Sequence, residues 1–175
     1  MKRKLIQAYM DVAHRFAELS SARRLHVGAI VIKDDRIISI GYNGMPAGWD
    51  NNCEDKEFMS GDAGGWLDPE EIEERWPFVA TSDEDGSYIG RYRLKTKPEV
   101  LHAETNAIAK LARSTESGDG ASMFITHGPC LNCAKLIYQS GIKQVFYASS
   151  YRSTDGIDFL KKCDVKVKQI EETDE

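Results

Sequence analysis

Residues 4 to 19 set Leu5, Tyr9, Val12, Ala13, Phe16 and Leu19 at helical spacing, which predicts a first helix with one apolar face and His14 on the other side. Val27–Ile32 and Ile37–Tyr42 are β-branched runs joined by Lys33, Asp34, Asp35 and Arg36. They predict a hairpin with a short polar turn, followed by an Asn43-Gly44 turn signal. From Met45 to Pro98 the periodicity breaks up. Gly61, Gly64, Gly65, Gly86 and Gly90 are interspersed with the acidic stretches DPEEIEER and SDEDG, and the one regular feature is a short helix begun by Asp68-Pro69. This predicts a loop-rich insertion over about 54–98 within a single domain spanning 1–175. The alternative is a small subdomain held by Trp66, Trp76 and Phe78. From Glu99 to Ile170 the pattern alternates: helix 103–113, strand 121–126, helix 131–140, strand 143–148, helix 155–162, strand 164–169. Such alternation predicts an α/β layered fold with a largely parallel second half, ending in a frayed EETDE tail.

Composition narrows the function more than the fold. A chain of 175 residues, 41% hydrophobic and 29% charged, has room for one well-buried core. Its formal charge of −5 argues against a protein that coats nucleic acid, which needs a basic face. No apolar run approaches the roughly 20 residues of a membrane span, and MKRKLIQAYM lacks a signal-peptide core, so a cytoplasmic protein is expected. Two of the four cysteines form a CxxC pair, which in a reducing compartment favours metal or redox chemistry over disulfides.

That pair is one half of the candidate chemistry. In LHAETNAIAKL, Leu101, Ala103, Ala107, Ile108 and Leu111 follow helical packing spacing, whereas His102 and Glu104 do not. Cys130 and Cys133, in THGPCLNC, stand at a second helix start, where the helix N-terminus favours thiolates. One histidine and two cysteines are the ligand count of a catalytic zinc with its fourth position open for water, and Glu104 is placed to act as acid and base beside it. Alone, HxE reads as a helix-dipole charge beside a core histidine, and CxxC as structural zinc or a redox pair. Cys53 and Cys163 supply no second close pair for a structural site. Together the two motifs match the H-x-E with P-C-x-x-C pattern of zinc deaminases.

On these motifs the chain resembles the cytidine deaminase superfamily, and within it the deoxycytidylate (dCMP) deaminases. The segment SSARRLHVGAIVIKDDRIISIGYNGMPAG is similar to that branch's N-terminal block, with its RxxVGA, its hairpin and its YNGxP. The resemblance implies a three-layer α/β/α cytidine deaminase-like fold: a central mixed five-stranded sheet with helices on both faces and a zinc site at two helix N-termini. It implies one Zn2+ per subunit on His102 (Nδ1 or Nε2), Cys130 and Cys133. Glu104 would relay protons from water to cytosine N3 and then to the leaving amine, giving dUMP and ammonia. Asn43 would bond the sugar or base edge, and the Ala103 amide would face the base carbonyl. A monophosphate substrate also demands a phosphate site. Arg24, with Arg23 and Ser21, fits that need, since arginine binds phosphate in a bidentate fork. The ordinary alternative is that Arg23 and Arg24 cover the end of the first helix. Tyr151 and Arg152 are expected to line the same pocket.

The resemblance further implies a homo-oligomer, commonly a hexamer, activated by dCTP with Mg2+ and inhibited by dTTP. It sets effector contacts at Arg113 and in the Gly41–Gly48 loop, which includes Gly44. Arg113 also reads as a helix C-terminal charge needing no ligand. Some relatives carry a further structural zinc. Here Ala22 and the absence of histidine between 27 and 101 leave Cys53 without co-ligands. His26 reads as a surface residue, His127 as part of the site rim, and Cys163 as a small core residue. Three other functions compete: a deaminase of a different free nucleoside or base, a nucleic-acid deaminase, and a noncatalytic zinc-stabilised binding protein. Arg24 with YNG, the acidic charge, and Glu104 count against them in that order.

Overall fold

The computed structural model describes residues 1–61 and 67–170. Helix α1 (Arg3–Ala17) is followed by β1 (Gly28–Lys33), β2 (Arg36–Tyr42), β3 (Glu54–Phe58), α2 (Pro69–Arg75), β4 (Phe78–Thr81) and β5 (Tyr88–Thr96). The second half runs α3 (Ala103–Ala112), β6 (Ser122–His127), α4 (Leu131–Gln139), β7 (Gln144–Ser149), α5 (Asp155–Lys162) and β8 (Lys166–Gln169). Five strands form one sheet in the order β2-β1-β6-β7-β8, with β1 antiparallel to both neighbours and β6, β7 and β8 mutually parallel.

Alternation along the strands assigns each face its helices. Ile30, Ile32, Phe124 and Phe146 pack with Tyr9, Met10 and Ala13 of α1. Ala29, Val31, Met123, Ile125 and Val145 pack with α3, α4 and α5 through Ala107, Leu111, Ile137 and Leu160. The result is the three-layer α/β/α arrangement expected, with a mixed five-stranded sheet. The hairpin turn is also as expected: Asp34 and Asp35 have φ of 50° and 56°, the two successive left-handed residues of a tight turn matched to strand twist.

The departures have physical causes. Helix α1 stops at Ala17, so Leu19 falls off the apolar face and is exposed. Leu101 is also exposed and precedes the helix, pairing as an isolated bridge with Gly44. The Asn43-Gly44 pair therefore ends the hairpin in a bridge to the α3 approach rather than in a turn. The segment expected to be loop-rich instead builds a second, antiparallel sheet in the order β3-β5-β4, with α2 between β3 and β4. The expected start of α2 holds, because Asp68 and Glu71 form a reciprocal capping box. Short charged strands such as EDKEF give no apolar run to read. The small sheet is held by side-chain pairs: Tyr92 lies between Phe58 and Phe78 at ring distances of 5.6 and 5.4 Å, and Glu57 pairs with Arg93 and Lys95. Arg93 also stands over Trp76, whereas Trp66 and the 171–175 tail lie outside the described residues.

Two glycines set how closely the site-bearing helices approach. A Cβ on Gly41 in β2 would stand 2.1 Å from the Ala103 carbonyl oxygen, and one on Gly156 in α5 would stand 2.1 Å from that of Pro129. Only a hydrogen at these positions lets α3 and the turn before α4 sit where they do.

Candidate active site

Strands β2 and β6 run the same way on either side of β1, and their carboxyl ends deliver the chain toward the N-termini of α3 and α4. Helix α3 is fixed to β2 by two bonds, Ser39 Oγ to the Ala107 carbonyl (2.7 Å) and Asn106 Nδ2 to the Tyr42 carbonyl (3.0 Å). His102 is the N-cap residue of α3, Cys130 that of α4, and Cys133 lies in the first turn of α4. All three thus enter the site at positive helix ends.

His102 turns Nδ1 toward both sulfurs, 3.7 Å from Cys130 and 3.4 Å from Cys133, which selects between the two ring nitrogens that sequence left open. The three donor atoms lie within 4.8 Å of one another. Hydrogen bonds from Cys133 and His102 pull the Cys130 thiol down to about 3, while the contact with that thiolate, together with burial, holds the Cys133 thiol protonated. The bond to Cys130 also raises the His102 pKa against the effect of burial. Two thiolates here require a cation, and two sulfurs with one imidazole fit zinc while leaving a fourth position open.

Glu104 is only 4% exposed, on the inner side of α3. Burial, with the Cys130 charge adding to it, raises its carboxyl above the usual carboxylate range. A surface carboxylate serving only the helix dipole would not be buried at such cost. Beside this group opens a cavity of about 320 Å³, the size of a small-molecule site. His102, Ala103, Glu104 and Cys130 line it together with Arg24, Val27, Asn43, Thr96, His127, Gly128, Tyr151 and Arg152.

Most of the residues expected at the site are gathered here. Arg24, Asn43, Ala103, Tyr151 and Arg152 all line the cavity. The Asn43 amide is engaged by backbone, accepting from the Val27 amide at 2.7 Å and donating to the Leu25 carbonyl at 2.8 Å. Ser21 and Arg23 stand off the cavity. Ser21 Oγ is 3.4 Å from Cys53 Sγ, and Arg23 is turned to Asn52 and Glu54. Gly44 exchanges two backbone bonds with Leu101, the residue before His102, and Arg113 is the C-cap of α3, at the end away from the site. His127 lies on the rim, with burial lowering its pKa, and His26 is exposed and off the cavity. Cys53 is fully buried against Ala22 and Val100, and Cys163 packs half-buried on the main core. Sequence reading missed Glu54 and Thr96, which line the cavity from the inserted sheet. Glu54 stands among Asp55 and Glu57 in NNCEDKEF, so nothing in the sequence singles it out.

The α/β/α fold thus sets a three-donor cluster that could hold a metal ion, and a buried carboxyl, beside one small-molecule cavity. Residues 3–149 match the family model described as the cytidine and deoxycytidylate deaminase zinc-binding region, and the chain belongs to that family. It is an enzyme of the deaminase class, and the resemblance to the deoxycytidylate branch is borne out by its relatives. Deoxycytidylate deaminase of Enterobacteria phage T4 is 36% identical over 152 residues, 81% of this chain and 76% of that protein. ComE operon protein 2 of Bacillus subtilis is 31% identical over 166 residues, 94% of this chain and 70% of that one. Among solved structures, dCMP deaminase of cyanophage S-TIM5 in complex with dCMP and dUMP superposes with a TM-score of 0.72 at 38% identity, covering 97% of this chain and 99% of that one. No helix among the described residues is long and apolar enough to cross a membrane.

Proposed function

We propose that the protein hydrolyses dCMP to dUMP and ammonia in the cytoplasm, supplying dUMP for thymidylate synthesis, with one zinc per chain held by His102 Nδ1, Cys130 and Cys133. The observation that carries this reading is Glu104, buried beside a soft three-donor cluster and lining a cavity that Arg24 also lines. Zinc at these donors supplies Lewis-acid activation of water. Glu104 would take a proton from the attacking water and give it to cytosine N3 as oxygen adds at C4, then take the proton of the new C4 hydroxyl and pass it to the amine as the C4–N bond breaks, so that water and dCMP become dUMP and ammonia. Its buried setting suits a carboxyl that must hold a proton during each cycle. In this reading the Ala103 N–H faces the base carbonyl, Asn43, held by the Leu25 and Val27 backbone, bonds the sugar or base edge, and Arg24 takes the phosphate, with Tyr151 and Arg152 lining the same cavity.

Regulation belongs to the same reading: a homo-oligomer, hexameric by resemblance, activated by dCTP with Mg2+ and inhibited by dTTP. Its support is the family resemblance, together with the bridge from Gly44 to Leu101, which ties the 41–48 loop to the residue preceding His102. Arg113, at the far end of α3, is the second contact in this reading.

Ammonia release is measured with zinc-loaded protein offered dCMP, deoxycytidine, dCTP and a cytosine-containing single strand, each with and without added dCTP or dTTP. Turnover concentrated on dCMP, and shifted by the triphosphates, is the expected result. Equal efficiency on deoxycytidine removes the phosphate assignment, and turnover of the single strand alone replaces the substrate class.

A further inference from the structure

Arg24 sits in the irregular segment between α1 and β1, where no ladder or helix fixes it. Among the described residues its hydrogen bonds go to the inserted sheet. Its backbone N–H donates to Glu54 Oε1 at 3.2 Å, and its guanidinium Nη1 donates to Thr96 Oγ1 at 3.0 Å. Glu54 opens β3 and Thr96 closes β5, and the two are direct partners in the first rung of that antiparallel pair. Glu54 is 1% exposed. It also accepts from the Arg23 N–H (3.0 Å) and Arg23 Nε (3.5 Å), so its carboxylate gathers three donors from one loop. A buried carboxylate is tolerated where its oxygens are met in this way. Both residues line the cavity beside Arg24.

We infer that the Glu54–Thr96 rung is a positioning device for the substrate's anionic end: the inserted sheet exists at this site to hold the Arg24 guanidinium and its loop in register with the pocket. The inference rests on the reading of Arg24 as the phosphate ligand and adds which residues make it one. Arg24 alone is a long side chain on a loop, and much of its binding energy would be lost in ordering it. Anchored at its backbone by Glu54 and at its head by Thr96, it meets a phosphate already oriented, with guanidinium N–H groups left over for the ligand. The insertion is thus part of the substrate-recognition apparatus.

The test compares kcat/KM for dCMP and for deoxycytidine in wild type and in Thr96→Val, Glu54→Gln and Arg24→Ala, with zinc content and Tm measured on each. Thr96→Val keeps the shape and removes only the acceptor. The ratio of dCMP to deoxycytidine efficiency is expected to fall about tenfold in Thr96→Val, the scale of one charge-assisted bond, mainly through KM for dCMP and with zinc retained. A larger fall is expected in Arg24→Ala, and little additional loss when Thr96→Val is added to it. If Arg24→Ala collapses the ratio while Thr96→Val and Glu54→Gln leave it at the wild-type value, Arg24 binds phosphate without the insertion and the inference is overturned. If Arg24→Ala itself leaves the ratio unchanged, the phosphate reading fails and the inference with it. Should Glu54→Gln not fold, Thr96→Val decides.

Discussion

A single buried carboxyl carries most of the chemistry proposed for this protein. Glu104 is not among the three clustered metal donors and lies next to them, so its loss should separate metal binding from turnover. In Glu104→Gln the amide keeps the shape and the hydrogen-bonding reach but cannot carry a proton. Zinc content is expected to match wild type, while kcat on dCMP falls by roughly 10² to 10⁴, the range of general acid–base catalysis. Metal analysis beside steady-state kinetics checks this. A parallel loss of zinc would make Glu104 a ligand or a structural support, and unchanged kcat would take it out of the reaction. Sequence made His102, Glu104, Cys130 and Cys133 legible because each pair is local, fixed by the first turn of one helix. It could not reveal Glu54 or Thr96, which meet Arg24 from 30 and 72 positions away. Nor could it show that Arg23 and Ser21 turn from the cavity, since adjacent residues on an irregular loop carry no periodicity to assign a face.

At the scale of elements, the site depends on how closely backbones can approach. Helix α5 supplies no side chain assigned to the chemistry, yet Gly156 in its first turn lies against the Pro129 carbonyl and holds the turn carrying Cys130. Gly156→Ala is expected to lower stability by about 1–3 kcal/mol through overpacking and to speed zinc loss to a chelator, because the ligand-bearing turn must move. Thermal unfolding with and without zinc, plus the rate of metal release, measures both. A variant with wild-type Tm and metal retention would show that α5 has no part in the site. The alternating second half was legible because β6 and β7 are nearly continuous apolar runs bounded by helices, with the short, alternating β8 following at the sheet edge. Strands β3, β4 and β5 escaped notice because their small sheet has an exposed charged side and is tied by ring stacking and cross-strand ion pairs, a code that lies between strands.

At the scale of the whole molecule, the five-stranded sheet brings the carboxyl ends of β2 and β6 to one end, the α-helices aim two N-termini at that end, and the inserted sheet closes the side where Arg24 stands. Cys53 and Ala22 pack together in a small cluster of their own, so a cysteine at 22 would be needed before that pocket offered two thiolates. Among the described residues a single three-donor cluster of the His/Cys/Asp/Glu type is present. One metal per chain follows from this arrangement as the central quantitative expectation. The most direct test is to strip the protein with a chelator and titrate zinc back while following dUMP formation from dCMP. Activity that is absent without metal, rises in proportion to added zinc and saturates at one equivalent per chain is the predicted result. Full turnover in the stripped protein, or saturation only at two equivalents, would contradict the account.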